Sequence, residues 1–442
     1  MSRRLLLHLF RVVLASLLTL VACGVQSVGQ AYPEGKIFGG YFEEWGVQYA
    51  GYNIADLQRN GVADELTHLI YAFGNVTPTT PPACAIADPV AAYQNPNVPS
   101  VNGKPYTAPL YGNFGALQQL KELHPTLKVL ISLGGQAGNV AGFVTAAATP
   151  AGRAGLASSC IDMFVKGNVA AGVTAPGLFD GFNIDWEFPG PADKQNFTAL
   201  LKEFRTQLNT LSKTTGKKYV LTFDSPANPK KYINIDLKAA AAQVDFLTID
   251  GYDYAAPDDK QTNESSTLYD GAADPVYADD RYIDVTVKAY RRAGVPAAKY
   301  TMGLPLYAVG WTGVANVNHG LYQSATGPAP VPLADGSGLC AKPDKANPSP
   351  GCDTVLTAGF ATYSTIQNLT KYGYIPWYDS SRVGATLFNP ATATFYTYDN
   401  PAAVAKKTAY IRKRKLGGAY VWALNDDDAG ASLTKAIAAG LK

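Results

Sequence analysis

The chain has 442 residues, 47% of them hydrophobic and 16% charged, with a formal net charge of +2. That length exceeds one small domain and suits a barrel of roughly 250 residues carrying insertions. The balanced charge excludes the dense basic patch that nucleic-acid binding needs, and the one basic run, Arg412-Lys413-Arg414-Lys415, closes a helical pattern where cations favour the carbonyl end.

The chain opens with Arg3-Arg4 and an apolar run over residues 12–22. That run is too short for a membrane span and predicts a cleaved export signal over residues 1–31. Two cleavage modes stay open. Leu20-Val21-Ala22-Cys23 has the form of a bacterial lipobox, which would place a lipid on Cys23, whereas Gly29 and Ala31 permit ordinary cleavage before Tyr32. Either predicts a secreted protein, free or lipid-anchored, with no transmembrane span. Export in turn makes Cys84, Cys160, Cys340 and Cys352 candidates for two disulfides. Cys340 and Cys352 lie close together in a Gly/Pro-rich loop and are the expected pair, which leaves Cys84 with Cys160. The absence of a CxxC spacing and the presence of only 4 His speak against a metal site. No metal or other cofactor is expected, and a monomer is expected.

Short apolar runs then alternate with amphipathic stretches, which predicts an α/β fold with parallel strands. Eight strands are expected, at residues 36–42, 66–73, 128–133, 177–186, 219–223, 244–249, 300–304 and 418–424. Helical patterns lie between most of them, as at 196–211 and 282–293. The series predicts a (β/α)8 TIM barrel formed by residues 32–311 and 398–442. Residues 74–112 read as a long loop rich in Pro, Thr, Ala and Asn. Residues 312–397 read as a small α+β insertion domain between the seventh and eighth strands, on the upper rim. Its Tyr363, Trp377 and Tyr378 suit a cleft wall or core packing equally well.

The fourth strand carries the most informative segment, Phe179-Asp180-Gly181-Phe182-Asn183-Ile184-Asp185-Trp186-Glu187-Phe188-Pro189-Gly190. Side chains alternate faces with period two. Asn183, Asp185 and Glu187 therefore share a face that points into the barrel, and Phe182, Ile184 and Trp186 face the helices. Glu187 comes last, at the mouth where barrel enzymes keep their sites. A buried row of acids is costly. Two carboxyls two strand positions apart cannot both ionise easily, so one pKa rises and supplies a general acid near neutral pH.

Asp180 to Glu187 resembles the Asp-x-x-Asp-x-Asp-x-Glu signature of glycoside hydrolase family 18, the chitinase family. Further segments resemble other strands of that family in order: Gly40-Tyr41-Phe42 with Trp45, residues 66–73, Ser132-Leu133-Gly134-Gly135, Gly251-Tyr252-Asp253, residues 303–307 and residues 417–422. The resemblance implies a retaining, substrate-assisted hydrolysis of β-1,4 bonds between N-acetylglucosamine units of chitin. In it Glu187 would protonate the glycosidic oxygen. Asp185 would orient the substrate's acetamido group and share a proton with Glu187. Tyr252 would hydrogen-bond the acetamido oxygen, Asp253 would contact the distorted sugar and Trp422 would floor the site. Tyr41 is expected near the substrate, and Asp180, Asn183 and Ser132 as supports of the inner acids.

The sequence departs from the family pattern at several places. Asn183 replaces the usual middle Asp and cannot store a proton, which predicts a relay through Asp185 and Glu187 alone. Asp250 stands where Met is common, Gln136 where Trp is frequent, and Ala308-Val309 where Gly-Arg is often seen. Two other functions use the same fold. An endo-β-N-acetylglucosaminidase acting on N-glycans would use the same residues, but the insertion domain favours a groove for a linear polymer. A non-catalytic chitin-binding protein would ordinarily have lost the acid, and Glu187 is present. The 27 tyrosines and 5 tryptophans suit sugar rings, whose CH faces pack on aromatic planes.

Overall fold

The computed structural model describes residues 35–442 apart from 137, 139, 272–273, 275–280 and 345–350. The expected export segment and Cys23 lie outside the described residues. Eight parallel strands form a closed barrel: β1 (Ile37–Glu43), β2 (His68–Val76), β3 (Lys128–Gly134), β4 (Gly181–Asp185), β5 (Val220–Ser225), β6 (Phe246–Ile249), β7 (Tyr300–Pro305) and β8 (Gly418–Trp422). Gly39 of β1 sits opposite Tyr420 of β8 and His68 of β2, which closes the ring. This is the (β/α)8 architecture the sequence predicts.

Helices cover the outside because their apolar stripes match the outward residues of the strands. The helix Lys194–Thr215 buries Phe197, Leu200, Leu201, Phe204 and Leu208, spaced by one turn, and ends at Gly216 in the left-handed region. Phe204 packs edge-on against Phe182 of β4, and Trp186 packs against Phe143 and Phe197. The even-numbered residues of the β4 segment thus hold the helices, which leaves the odd ones for the interior.

Several elements differ from expectation. Strand β4 begins at Gly181 rather than at residue 177. The residues before it turn through Gly177, at φ +75°, so Asp180 stands at the amino-terminal edge of the barrel. The loop 74–112 is partly ordered: Cys84–Ile86 pairs antiparallel with the end of β2.

A second sheet begins at Tyr307, earlier than the expected residue 312. Its central strand Tyr307–Thr312 is flanked by Thr394–Tyr398, Gly384–Asn389 and Ile375–Asp379 on one side, and by Gly327–Pro328 and Phe360–Thr362 on the other. The strand Ile375–Asp379 is an edge, where Pro376 is tolerated. Barrel and inserted sheet belong to one compact unit.

Cys84 is bonded to Cys160 and Cys340 to Cys352. The first bridge ties the loop strand to the helix Pro150–Cys160 and closes 76 residues, against 12 for the second. Loop-closure entropy makes the longer bridge worth about 4 kcal/mol and the shorter about 3 kcal/mol. Replacing Cys84 and Cys160 by Ser is therefore expected to lower the calorimetric melting temperature more than replacing Cys340 and Cys352.

Candidate active site

A cleft of about 490 Å³ opens at the carboxyl ends of the barrel strands. From β4, Asp185 and then Glu187 reach into it. Asn183 lies one step deeper and is fully buried. Its Oδ1 accepts from Ser132 Oγ at 2.7 Å and from Tyr41 OH at 3.1 Å, and its Nδ2 donates to Thr248 Oγ1 at 3.3 Å. Every polar atom of this amide is satisfied, so Asn183 is a fixed strut.

Asp185 is the opposite case. It is 4% exposed and its Oδ1 has no hydrogen-bond partner. Burial, then the neighbouring Glu187 and Asp250, push its carboxyl well above the ordinary range. Glu187 is raised to about 7, chiefly by burial, with Lys231 opposing the rise and Asp253 adding to it. An acid of that strength at a cleft wall can give up a proton near neutral pH.

The remaining walls come from other strand ends. Tyr252 follows β6 and donates its hydroxyl to Tyr420 OH at 3.3 Å. Asp253 sits at φ +58° and accepts from Tyr307 OH at 2.6 Å, which fixes its side chain at the cleft. Trp422, at the end of β8, lies against Tyr41 with ring centroids 5.1 Å apart and stacks on Phe73 at 5.8 Å. Phe73 in turn stacks on Trp45 at 5.9 Å. Trp45, Phe73 and Trp422 thus make a continuous aromatic row along the cleft, suited to the apolar faces of pyranose rings.

Glycines make two of these placements possible. Gly134 adopts φ +116°, and a Cβ there would lie 2.1 Å from the Asp185 carbonyl oxygen, which accepts from Gly135 N at 2.9 Å. Gly303 of β7 faces the site, where a Cβ would lie 2.6 Å from Tyr420 OH and 2.8 Å from Tyr252 Cε1. Gly303→Ala is expected to push both tyrosines aside and to cost about 1–3 kcal/mol by overpacking. The check is a denaturant midpoint together with turnover, both of which should fall.

Asp180 is not with the other named residues. Its Oδ2 accepts from Lys121 Nζ at 2.7 Å and Val129 N at 2.9 Å, and its carboxyl pairs with Lys128. It is five residues before Asp185, about 16 Å along an extended chain. Asp180 therefore ties β4 to its neighbours at the closed end of the barrel and does not support the inner acids. Tyr363 is buried in the core, while Trp377 stands exposed on the edge strand with its ring stacked on His319. Neither these two nor Tyr378 lines the cleft. The inserted wall is made instead by Thr354, Val355, Thr357 and Phe360.

Sequence reasoning passed over Asp224, Thr248, Tyr307 and Tyr420. Asp224 carried a signal: it continues the inward face of Thr222, but the expected strand stopped at residue 223, one short of it. Asp224 lines the cleft and accepts from Thr248 Oγ1 at 3.0 Å. Among the described residues lining the cleft, Lys231 is the one cation, against Glu43, Asp185, Glu187, Asp224, Asp250, Asp253 and Asp426.

The family model for glycosyl hydrolases family 18 matches residues 37–427. The chain belongs to that family. Among curated family relatives, it is similar to chitinase A1 of Niallia circulans, 32% identical over 88% of this chain and 56% of the relative. It is also similar to chitinase C of Streptomyces lividans, 28% identical over 88% of this chain and 57% of the relative. The chain thus spans between half and two thirds of the length of these curated relatives. Among solved structures, the catalytic domain of psychrophilic chitinase B from Arthrobacter TAD20 superposes with a TM-score of 0.80 at 32% identity, covering 95% of this chain and 97% of that one. In this family member the signature segment is the β4 strand that carries Asp185 and Glu187 into the cleft.

Proposed function

We propose that the protein is a chitinase that hydrolyses β-1,4 bonds between N-acetylglucosamine units with retention of configuration. Glu187 protonates the glycosidic oxygen while the substrate's own N-acetyl oxygen attacks the anomeric carbon, so no second carboxylate acts as nucleophile. Asp185 orients the acetamido group and offsets the positive charge that develops on it. Tyr252 donates to the acetamido oxygen, Asp253 holds the distorted sugar, and Trp422 with Tyr41 forms the floor. Water then attacks the cyclic intermediate, and Glu187 takes its proton.

One observation carries this reading: a half-buried carboxylic acid just past the end of β4, Glu187, raised to about 7 beside a fully buried acid, Asp185, both lining the cleft. The aromatic row of Trp45, Phe73 and Trp422 supports a substrate made of successive sugar rings. The names of the family relatives support chitin as that substrate. In this reading the eight-stranded barrel is catalytic and the inserted sheet, from Tyr307 to Tyr398, is a wall that deepens its groove. Export follows from the amino-terminal segment and is supported by the two disulfides, which persist in oxidising compartments. Among the described residues no helix is long and apolar enough to cross a membrane.

The test is incubation of the mature protein with colloidal chitin and mass spectrometry of the soluble fraction. N-acetylglucosamine oligomers, mainly the disaccharide, are expected. Release of N-glycans from a glycoprotein with no products from chitin would overturn the choice of substrate, and no products from either would overturn hydrolysis.

A further inference from the structure

The floor of the cleft holds two carboxyls to which the roles above give no work. Asp224 is the last residue but one of β5 and Asp250 follows β6, and both line the cleft. The Tyr420 hydroxyl lies between them, 2.9 Å from Asp250 Oδ1 and 3.4 Å from Asp224 Oδ1. It has one proton and can satisfy one of the two at a time. Thr248 Oγ1 donates to the same Asp224 Oδ1 at 3.0 Å and itself accepts from Asn183 Nδ2 at 3.3 Å. A hydrogen-bonded path therefore runs from Asn183 through Thr248, Asp224 and Tyr420 to Asp250. It starts at Asn183, the one of the three inward residues 183, 185 and 187 that is an amide and not an acid.

Two carboxyls on one bridging hydroxyl, Asp224 buried and Asp250 half-buried, cannot both ionise at modest cost, so one keeps a proton. The groups around them reinforce this. Asp185 and Glu187 face them from β4, and Asp253 acts on Asp250 from beyond β6. Tyr41 from β1, Tyr252, and Tyr290 from the helix Ile283–Arg292 are neutral neighbours. Lys231, the cleft's one cation among the described residues, acts on Glu187 and Asp253.

We propose that Asp224 and Asp250, bridged by Tyr420, form a second acid pair that shares one proton. The pair acts through Asp185, as positioning residues, and supplies the buried negative charge that Asn183 lacks. The proton passes between the two carboxyls when the Tyr420 hydroxyl gives its proton to one and takes that of the other, so the proton count and net charge of the pair stay fixed. The charge beneath the site keeps Asp185 and Glu187 protonated to higher pH than burial alone would. The relay itself stays with Asp185 and Glu187, as the presence of Asn183 suggested, and the pair sets the charge beneath it.

This inference rests on the hydrolase reading, and its test separates the two. The measurement is kcat/KM against pH on a soluble N-acetylglucosamine oligomer carrying a chromogenic leaving group. The variants are Asp224→Asn with Asp250→Asn, Tyr420→Phe, and the double variant with Asn183→Asp added. The descending limb of the double variant is expected about one unit or more to the acid side of wild type. Asn183→Asp should move it back, and Tyr420→Phe should shift the limb while leaving the fold intact. A merely structural pair would lower the rate at all pH values alike. An unmoved limb, or no recovery with Asn183→Asp, would overturn the proposal. If the double variant does not fold, Asn183→Asp in the wild-type background should move the limb to the alkaline side, and an unchanged limb there would overturn it equally. Absence of turnover by wild type would overturn the hydrolase reading instead.

Discussion

Glu187→Gln is expected to lower kcat on chitin oligomers by roughly 10²–10⁴-fold, the usual worth of a positioned general acid. Gln keeps the length and shape of a protonated Glu, so oligomer binding should change little and the loss should fall on kcat. In the proposed mechanism the first step consumes the proton of Glu187, whose pKa is raised to about 7. The acid form dominates below that value. Wild-type kcat/KM is therefore expected to hold up to about neutral pH and then fall about tenfold per unit as the proton is lost. The variant's residual rate, having no such proton to lose, should lack that limb. Steady-state kinetics on a soluble oligomer between pH 4 and 9 checks both parts. A variant that kept both its rate and its alkaline limb would show that another group is the acid.

The barrel could be read from the sequence because its cause is local. Each strand is a short apolar run, and β4 announces its two faces by alternation: Phe182, Ile184 and Trp186 against Asn183, Asp185 and Glu187. Asp185 and Glu187 could be named from alternation at the end of the fourth strand, whereas Tyr252, Asp253 and Trp422 were named from the family resemblance, and the barrel brings all five to one mouth. What could not be read depends on distance in space. Asp180 belongs to the same sequence segment as Glu187, yet the turn at Gly177 starts β4 later and leaves Asp180 at the other end of the barrel with Lys121. Asp224 lay one residue beyond the expected strand, and its alternation with Thr222 gave it a face but no partner. Its place becomes significant only when β5 and β8 bring it near Tyr420. The inserted wall was anticipated as a domain but not by residue. Conspicuous aromatics such as Trp377 went to an outer edge strand, while small side chains, Thr354, Val355 and Thr357, reached the cleft.

Asp185→Asn is expected to move activity and stability in opposite directions. It is expected to lower kcat by roughly 10²–10³-fold, the worth of one preorganised group facing a developing charge. The amide can hold the acetamido group by hydrogen bonding but cannot carry negative charge beside the cation. Its loss also removes a like-charged neighbour of Glu187, so the alkaline limb of the remaining activity should move to lower pH. Stability should respond in the other direction. Asp185 is buried, its Oδ1 has no partner, and its folded pKa lies well above the unfolded one. A carboxyl with a raised folded pKa binds its proton more tightly in the folded state. Its stabilising contribution is therefore fully present below the unfolded pKa, near 3.9, and is lost as pH rises through the folded one. Wild type accordingly carries a cost at neutral and alkaline pH that the amide does not. The melting temperature of Asp185→Asn should match wild type near pH 4 and exceed it increasingly towards pH 8. Differential scanning calorimetry across that range decides the matter. A variant less stable than wild type at pH 8 would mean that the Asp185 carboxylate is stabilised in the folded protein, and its place as a strained acid held ready for the reaction would fall with it.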